Sequence, residues 1–282
     1  MKFGEALAGA RKLIPATEAR LLLMHATGAT ATTLAAHPER ELHASQTASF
    51  LALVRRRAAG EPVAYLTGRR EFFGREFAVS PAVLIPRPET EHLVECGIAK
   101  ARAMASPRIL DLGTGSGCVA ITLALELRTG VVAADVAPDA LAVARGNAER
   151  LGARVEFIES DWYANVEGRF DLIVANPPYV AEGDAHLTEG DLRFEPMGAL
   201  ACGADGLAAI RRIVAEAPAH LRPGGWLLFE HGYDQAAAVA DILTGAGFGD
   251  IEQQRDLAGI VRVSGGRLTA SAEATYNIRL YL

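Results

Sequence analysis

From residue 85 onward the chain alternates strand-like and helix-like segments, and this alternation limits the possible folds more than any other feature of the sequence. Longer amphipathic runs predict helices at 119–128, 139–151, 206–220 and 235–245. Short apolar and β-branched runs predict seven strands, at 108–112, 131–135, 155–158, 172–175, 226–230, 251–255 and 260–263. Strands that alternate with helices form a mostly parallel sheet covered on both faces. We therefore predict an α/β fold with a seven-stranded, mostly parallel sheet.

The residues before this pattern are of a different kind. Residues 1–62 show the helical spacing of apolar side chains and predict a small helical bundle. In residues 63–84, glycines separate short aromatic and β-branched pieces, which predicts a β-hairpin that links two domains. Residues 85–282 make up the third predicted region, and its tail after Arg267 fits no strand or helix of the alternating pattern.

Composition excludes several classes of protein. Of the 282 residues, half are apolar and 22% are charged, as in a typical globular protein, and the net charge is −6. An acidic chain offers no extended electrostatic surface for stable nucleic-acid binding. No apolar run is long enough for a membrane span, and the N-terminus lacks the apolar core of a secretory signal. Three scattered cysteines without a CxxC pair favour a reducing compartment, so we expect a cytoplasmic protein without a metal site.

The segment RILDLGTGSGCVAITLAL predicts a strand, a tight turn with three glycines and an apolar helix. Glycines there let the backbone approach a ligand, and ligands of doubly wound sheets bind where loops leave the carboxyl ends of strands. The dinucleotide fingerprint fails, because Cys118 stands where its third glycine is required. Asp135 ends the next predicted strand, where a carboxylate can accept hydrogen bonds from both hydroxyls of a ribose. The turn has no lysine, so a nucleoside without phosphates fits it better than a nucleotide.

A further feature is the strand ending FDLIVANPPYV, in which Asn176, two prolines and Tyr179 follow a buried strand. In the order DLGTGSG, Asp135 and NPPY, the motifs resemble the class I S-adenosylmethionine-dependent methyltransferases that methylate planar nitrogen. The segments TGRREFFGREFAVSPAVLIPRPETEHLV and GDLRFEPMGAL, together with the helical N-terminal region, closely resemble the PrmC/HemK family, the glutamine N5-methyltransferases of peptide-chain release factors. The resemblance extends to about Gly266 and does not include the tail.

The resemblance implies a Rossmann-like methyltransferase domain after a helical domain that docks the release factor. It implies methyl transfer from S-adenosyl-L-methionine, with S-adenosyl-L-homocysteine as product, to the glutamine of the Gly-Gly-Gln motif in class 1 release factors. The enzyme is expected to be a monomer. The residues implied in cofactor binding are Gly113, Thr114, Gly115, Ser116, Gly117, Asp135, Trp162 and Asn176. Those implied in catalysis are Asn176, Pro177 and Tyr179, and Pro178 joins them in binding the substrate glutamine.

Charged residues outside these motifs receive roles from the same resemblance. Arg87, Glu89 and Glu91 of IPRPETE are expected to form a lid or a substrate-side wall. Arg193 and Glu195 of RFEP are expected to brace the NPPY loop, and a purely structural role in salt bridges is an equal alternative for all five residues. His231, which follows a strand, is expected to be structural.

The chemistry of amide methylation explains the NPPY motif. An amide nitrogen is a poor nucleophile, because its lone pair is delocalised into the carbonyl group. The side-chain oxygen of Asn176 and the carbonyl of Pro177 can each accept one amide hydrogen, which would favour a pyramidal nitrogen with its lone pair directed at the methyl group. The prolines fix the backbone and add no competing N–H, and Tyr179 would cover the amide plane. Catalysis then consists mostly of positioning.

Three other functions remain open at this point. NPPY suits adenine-N6 methylation of DNA equally well, although the acidic chain lacks a basic stripe and a DNA-reading module. An NAD-dependent oxidoreductase conflicts with Cys118 and lacks an evident hydride-relay residue. A non-catalytic adenosylmethionine-binding protein is disfavoured by the intact motifs. Transfer of labelled methyl groups to a release factor or to DNA distinguishes these functions.

Overall fold

The computed structural model describes residues 1–269. The chain divides into two compact units. The helical unit contains Met1–Arg69 together with Thr188–Phe194, and the sheet unit contains Arg70–Leu187 together with the described residues from Glu195 onward. Each unit therefore contains chain segments that are far apart in sequence. Among the helices of residues 1–269, none has the length and hydrophobicity that a bilayer span requires.

Helices make up nearly all the regular structure of the helical unit. They are α1 (Phe3–Ala10), α2 (Ala16–Thr27), α3 (Ala31–Ala36), α4 (Ala44–Ala58) and α5 (Val63–Thr67). Helix α3 begins where the Thr30 side chain accepts a hydrogen bond from the backbone N–H of Thr33, and α2 and α5 end at left-handed glycines. The apolar faces meet in one cluster that includes fully buried Leu22, Leu23 and Phe50. The sequence predicted a hairpin from residue 63, but residues 63–67 are helical because their Leu66 packs into this cluster.

The segment Thr188–Phe194 is held within the helical unit by charged side chains. The guanidinium of Arg57 on α4 donates to Glu18 on α2 at 2.7 Å and to Asp191 at 2.7 Å. Arg193 donates to the backbone carbonyl of Ala59. These bonds attach a segment from the middle of the chain to helices formed by its first sixty residues.

The hairpin is shorter than predicted and consists of β1 (Arg69–Phe72) and β2 (Arg75–Ala78). Its two turn residues, Phe73 and Gly74, both have positive φ, as in a type I′ turn. Phe72 and Phe77 are buried, their rings meet edge to face with centroids 6.1 Å apart, and both belong to a core cluster of the sheet unit.

Within residues 1–269 the central sheet has seven strands, as the sequence predicted. They are β3 (Ile109–Leu112), β4 (Val131–Asp135), β5 (Val155–Glu159), β6 (Phe170–Ala175), β7 (Leu221–Glu230), β8 (Phe248–Arg255) and β9 (Val261–Leu268). Their order is β5-β4-β3-β6-β7-β9-β8. The first five are parallel, and β9 is antiparallel to both of its neighbours. The predicted α/β class and the mostly parallel sheet are confirmed.

Helices cover the two faces of the sheet. They are α6 (Glu91–Arg102), α7 (Cys118–Leu127), α8 (Pro138–Leu151), α9 (Ala208–His220) and α10 (Ala236–Gly245). Leu110 of β3 joins Ile213 and Leu243 in the cluster on the α9 and α10 face, whereas Ile109 joins Leu93 and Leu123 in the cluster on the opposite face. Strand residues alternate between the faces, so both sets are buried.

Five of the predicted strands are longer in the structure, and β7 and β9 differ the most from the prediction. Strand β7 begins at Leu221 rather than residue 226, and β9 extends to Leu268 rather than residue 263. The added parts contain paired glycines, which carry no hydrophobic signal. At Gly265 a Cβ atom would lie 2.3 Å from a methyl carbon of Leu228, so the absence of a side chain is what allows β9 to approach β7.

The sheet order places a switch point beside β3. From β3 the chain adds β4 and β5 on one side, and then returns to add β6 on the other side. The last residues of these strands are in register, with Leu112 opposite Ala134 in β4 and Ala175 in β6. Loops that leave the carboxyl ends at such a point separate and leave a crevice for a ligand.

Candidate active site

A cavity of about 260 Å³ lies at the carboxyl ends of the parallel strands. It is formed entirely by residues of the sheet unit. The structure brings together there most of the residues that the sequence indicated: Gly113, Thr114, Gly115, Ser116, Asp135, Trp162, Asn176 and Pro178. Gly117, Pro177 and Tyr179 are not part of the lining among the described residues.

A buried carboxylate, that of Asp111, stabilises the glycine turn after β3. Asp111 is 1% exposed, and one of its oxygens, Oδ2, accepts hydrogen bonds from the Thr114 hydroxyl at 2.7 Å and from the backbone N–H of Ala120 at 3.2 Å. Burial raises the pKa of Asp111 to about 7, and these two hydrogen bonds oppose the rise. Since the Thr114 side chain points to Asp111, Thr114 contributes mainly backbone to the cavity wall. The sequence motif contains Asp111, but its role follows only from the structure.

Gly117 has a packing function behind the cavity wall. Its φ is +81°, and a Cβ atom on it would lie 2.8 Å from Ile121 and 3.1 Å from Ala144. Glycine therefore lets the turn lead into α7 while α8 packs close to it. Gly115, by contrast, has a φ of +54° and open space at the Cβ position, beside the cavity.

Asp135 is fixed in orientation by two backbone groups. Its Oδ2 accepts from the N–H of Gly115 at 2.8 Å, and its Oδ1 accepts from the N–H of Ala137 at 2.9 Å. Each carboxylate oxygen can accept a second hydrogen bond. Both oxygens thus keep acceptor capacity, and Asp135 lines the cavity, while its binding of a ribose diol stays a prediction.

Trp162 both packs against the sheet and faces the cavity. It has a positive φ of 53°, and its ring lies 3.6 Å from where a Cβ on Gly113 would stand. It also contacts the buried cluster on the α9 and α10 face. Core packing and a position in the cavity wall are therefore compatible for this residue.

The amide of Asn176 is oriented by Thr90. The side-chain nitrogen Nδ2 donates to the Thr90 hydroxyl oxygen at 3.1 Å, and both residues line the cavity. This bond occupies the nitrogen end of the amide, so the carbonyl oxygen Oδ1 is the end available as an acceptor. Thr90 lies in the segment IPRPETE, but sequence reasoning assigned it no role.

Tyr179 is held at its hydroxyl and at its backbone. The hydroxyl donates to Glu230 Oε1 at 3.1 Å, and the carbonyl oxygen accepts from the Gln235 side chain at 2.9 Å. Burial and the adjacent Glu230 carboxylate raise the pKa of Tyr179 well above its ordinary value, so the phenol stays protonated. Gly206 crosses directly beside this carbonyl, since a Cβ on it would lie 2.2 Å from the Tyr179 oxygen.

Four charged residues of IPRPETE and RFEP, which are Arg87, Glu91, Arg193 and Glu195, have structural partners. Arg87 lines the cavity and forms an ion pair with the buried carboxylate of Glu195, which also accepts from the backbone N–H of Ile85 at 3.0 Å. Glu91 accepts from the backbone of Phe73 in the hairpin, so it does not form a cavity wall.

One of the expected bracing residues does not act on the NPPY loop. Arg193 bonds to Ala59 within the helical unit, because the segment that carries it belongs to that unit. His231, which was expected to be structural, bonds through its ring to the Gly232 carbonyl and to the Ser264 hydroxyl at 2.8 Å.

Comparison with known proteins adds a family to this geometry. Residues 2–68 match the PrmC N-terminal domain, and residues 90–191 match the methyltransferase small domain. A release factor glutamine methyltransferase of Burkholderia pseudomallei is 54% identical over 264 residues, which cover 90% of this chain and 93% of the relative. One of Neisseria gonorrhoeae is 49% identical, covering 95% of this chain and 98% of the relative. A methyltransferase structure from Pyrococcus furiosus, 20% identical, has a TM-score of 0.54 over 78% of this chain and 98% of its own.

The Pyrococcus structure supports the Rossmann-like fold alone. The matched methyltransferase domain identifies the class of protein, a methyltransferase. The two bacterial relatives carry the assignment further, since they match nearly the whole chain at about half of its positions. The chain belongs to the release factor glutamine methyltransferase family. The resemblance found in the sequence motifs is thereby confirmed.

Proposed function

We propose that this protein transfers a methyl group from S-adenosyl-L-methionine to the side-chain N5 of the glutamine in the Gly-Gly-Gln motif of class 1 release factors. The observation that carries the proposal is the orientation of Asn176. Its nitrogen is bound by Thr90, so a carbonyl oxygen is available at the cavity to accept an N–H of a substrate amide. Membership of the release factor glutamine methyltransferase family points to glutamine as that amide.

The groups that line the cavity fit the chemistry of the cofactor. Asp135 keeps one acceptor site on each oxygen for the two ribose hydroxyls, and the open backbone at Gly115 allows a close approach. Trp162 and the exposed Val136 supply apolar surface for a purine ring. The turn contains no cationic side chain, which suits a nucleoside without phosphates. We propose that Gly113 to Gly117 wrap the cofactor, with Gly117 acting from behind by shaping the turn.

When bound, S-adenosylmethionine supplies an electrophilic methyl group on a sulfonium centre. The protein's part is to hold the substrate amide so that its nitrogen lone pair faces that methyl group. Asn176 Oδ1 and the Pro177 carbonyl accept the two N–H groups, and two prolines hold this backbone without offering competing donors. Tyr179 is fixed at its hydroxyl by Glu230 and at its carbonyl by Gln235, and it forms one wall of the substrate site. Positioning of this kind contributes on the order of 7–11 kcal/mol to lowering a barrier.

The helical unit is proposed to dock the release factor. It matches the PrmC N-terminal domain, and it exposes apolar side chains at Leu13, Leu21 and Leu51, which are 62%, 49% and 41% exposed. We further propose a monomer that acts in the cytoplasm, where the three free cysteines remain reduced.

A labelling experiment tests the proposal. The full chain is incubated with methyl-labelled S-adenosylmethionine and one of three substrates, which are a class 1 release factor, the same factor with its motif glutamine replaced by alanine, and duplex DNA. We expect label on the intact factor alone. Label on DNA would favour the adenine methyltransferase alternative, and label on the glutamine-free factor would place the reaction at another residue.

A further inference from the structure

We propose that Asn147, on α8, is a positioning residue that fixes the glycine turn of the proposed cofactor site and attaches the β-hairpin to the same helix. The inference rests on the proposed function and deepens it, since it concerns the affinity for S-adenosylmethionine. Asn147 is fully buried, with an exposed fraction of 0%, although asparagines usually lie at the surface. Within residues 1–269 the cavity lining does not include it, and the sequence motifs did not indicate it.

The side-chain amide of Asn147 uses its full hydrogen-bonding capacity. Its nitrogen Nδ2 donates to the carbonyl of Ser116 at 3.0 Å and to the carbonyl of Ala78 at 3.0 Å. Its oxygen Oδ1 accepts from the backbone N–H of Ala78 at 2.7 Å and from the guanidinium of Arg150 at 3.1 Å. A side-chain amide has two hydrogens to donate and two lone pairs that accept, so all four positions are occupied. Reversing the amide would bring its oxygen against two carbonyl oxygens, and its orientation is therefore unique.

The bond to Ser116 holds the glycine turn. Ser116 lies between Gly115 and Gly117, is 2% exposed and lines the cavity. The next residue, Gly117, lies so close to α8 that a Cβ atom on it would stand 3.1 Å from Ala144. Ala144 and Asn147 are three positions apart on α8, and residues at this spacing are neighbours on one face of a helix. One hydrogen bond and one close contact therefore attach the turn to the same face of α8.

The position of the turn also affects Asp135, the carboxylate proposed to bind the ribose. The N–H of Gly115 donates to Asp135 Oδ2 at 2.8 Å, and the carbonyl that Asn147 binds belongs to the next residue, Ser116. Without the bond from Asn147, the backbone of the turn can adopt other conformations, in which the N–H of Gly115 no longer orients Asp135. The apparent affinity for a ligand falls in proportion to the population of the conformation that binds it. Loss of Asn147 should therefore weaken cofactor binding.

The β-hairpin is attached to α8 by the same side chain. Its strands β1 and β2 form a sheet of only two strands, which has little stability alone. Asn147 binds both the N–H and the carbonyl of Ala78, the last residue of β2. Arg150, one turn later on α8, donates to the carbonyl of Glu76 in the same strand. The hairpin and the glycine turn are thus held together through one amide group.

Two substitutions of Asn147 test the inference in the full chain. Asn147→Ala removes the amide, and Asn147→Leu removes its hydrogen bonds while keeping a side chain of similar size. Calorimetry gives the Kd of S-adenosylmethionine, and methylation of the release factor gives kcat and the KM of each substrate. We expect both variants to raise the Kd and KM of S-adenosylmethionine by about five- to fiftyfold, because they leave the buried Ser116 carbonyl without its partner.

The other kinetic constants separate positioning from a general structural role. At saturating cofactor, kcat and the KM of the release factor should stay within about twofold of wild type, because bound cofactor restores the turn and no residue of NPPY changes. A residue that served stability alone would lower the thermal midpoint and the fraction of active enzyme, and the Kd of S-adenosylmethionine would stay the same.

Two further variants are matched controls. Ser264→Ala removes a fully buried hydroxyl that bonds to His231, and it should lower the thermal midpoint without changing the Kd of S-adenosylmethionine. Arg150→Ala removes the bonds to Glu76 and to Asn147 Oδ1 but leaves the donation to Ser116, so the Kd should change by less than about threefold.

Three results would overturn the inference. They are a Kd within twofold of wild type in both Asn147 variants, a reduced kcat with an unchanged Kd, and an equal increase of the Kd in Ser264→Ala. If the wild-type chain labels DNA instead of the release factor, the proposed function fails. The ratios of Kd for S-adenosylmethionine do not depend on the methyl acceptor, so they still decide the role of Asn147.

Discussion

Thr90 binds the side-chain nitrogen of Asn176 and so decides which end of this amide faces the cavity. The sequence motif indicated that Asn176 acts as an acceptor, and the structure supplies the reason for its orientation. The partner lies 86 positions earlier in the chain, in a segment whose role had been assigned to its charged neighbours. At the scale of single residues, therefore, the motif indicated the proposed hydrogen-bond acceptor, Asn176, but not the group that orients it.

Replacement of Asn176 by alanine tests this orientation directly. We expect kcat to fall by about 10²–10³, the usual effect of removing one preorganised hydrogen-bonding group from a reacting centre. Binding of S-adenosylmethionine, measured by calorimetry, should be largely retained, because the ribose and purine contacts remain. Asn165→Ala, at an exposed asparagine outside the cavity, is the control and should keep full activity. Persistent methyl transfer by the Asn176→Ala enzyme would contradict the proposed mechanism.

Asp111 gives the sheet unit a specific dependence on pH. Its pKa of about 7 in the folded protein lies above the ordinary value of 3.8. The folded state therefore holds a proton that the unfolded state releases between these values. The stabilising effect is fully present below pH 3.8 and is lost as the pH rises through about 7, with a total on the order of a few kcal/mol.

The Asp111→Asn variant should remove this dependence. One oxygen of Asp111 accepts both hydrogen bonds, so the single oxygen of an asparagine can replace it while the titrating group is lost. We expect the wild-type protein to lose stability relative to the variant between pH 4 and 7, in protein without cofactor. Urea unfolding followed by tryptophan fluorescence measures it, because both tryptophans, Trp162 and Trp226, lie in the sheet unit. If the free energies of unfolding of the two proteins changed with pH in parallel, Asp111 would not titrate as described.

At the scale of elements, the loop after β6 depends on the close approach of Gly206 to the backbone of Tyr179. The hydrophobic periodicity of the sequence does not predict this contact. Gly206 precedes α9, has a φ of +71° and passes beside the carbonyl of Tyr179, to which Gln235 also donates. A strand followed by NPPY predicted the position of the loop. Its shape depends on glycine and glutamine residues that come later in the chain.

A Gly206→Ala substitution should displace the NPPY loop. The new Cβ would stand 2.2 Å from the Tyr179 oxygen, and the backbone conformation is one that alanine resists. We expect a loss of activity of about tenfold or more together with a destabilisation of about 1–3 kcal/mol. Gly183→Ala provides the comparison, because Gly183 lies in the same loop with open space around it and ordinary φ. Equal activities of the two variants would show that the close approach is not needed.

Helix α6 shows where prediction of elements failed. Its buried residues Leu93, Val94, Ile98 and Ala101 have helical spacing, so the signal was present. It follows directly after two prolines in IPRPETE, and prolines usually mark the end of regular structure. The second proline, Pro88, instead occupies the start of a short 3₁₀ turn that leads into the helix. Its missing N–H has no cost at this position.

At the scale of the whole molecule, the helical unit is composed of two stretches of chain that are far apart. Arg57 joins them, since its guanidinium binds Glu18 and Asp191, which lies 134 positions away. The side chain of Arg57 is 16% exposed, whereas that of its neighbour Arg56 is 54% exposed and pairs only locally with Glu61. The two adjacent arginines are therefore expected to contribute very differently to the stability of the helical unit.

Replacing each of these arginines by alanine tests the difference. Arg57→Ala should destabilise the helical unit by about 1–3 kcal/mol, because it leaves two carboxylates without their partner. Arg56→Ala should change stability by less than about 0.5 kcal/mol. Hydrogen exchange of amides in α2, α4 and residues 188–194 measures the effect locally, which suits a protein of two units. Faster exchange confined to the helices, with residues 188–194 unchanged, would contradict the proposed anchoring.

The sequence by itself determined the class of the fold, the predicted strands, and the two motifs, the glycine turn and NPPY, that we propose bind the cofactor and the substrate amide. These features depend on periodicity and on motifs whose residues are neighbours in the chain. The tertiary structure decided which groups orient the motifs: Thr90 for Asn176, Glu230 for Tyr179, and the buried Asp111 for the glycine turn. It also assigned residues 188–194 to the helical unit. The physical reason is that most of these bonds join residues 51 to 134 positions apart, and only the folded chain brings such groups within hydrogen-bonding distance.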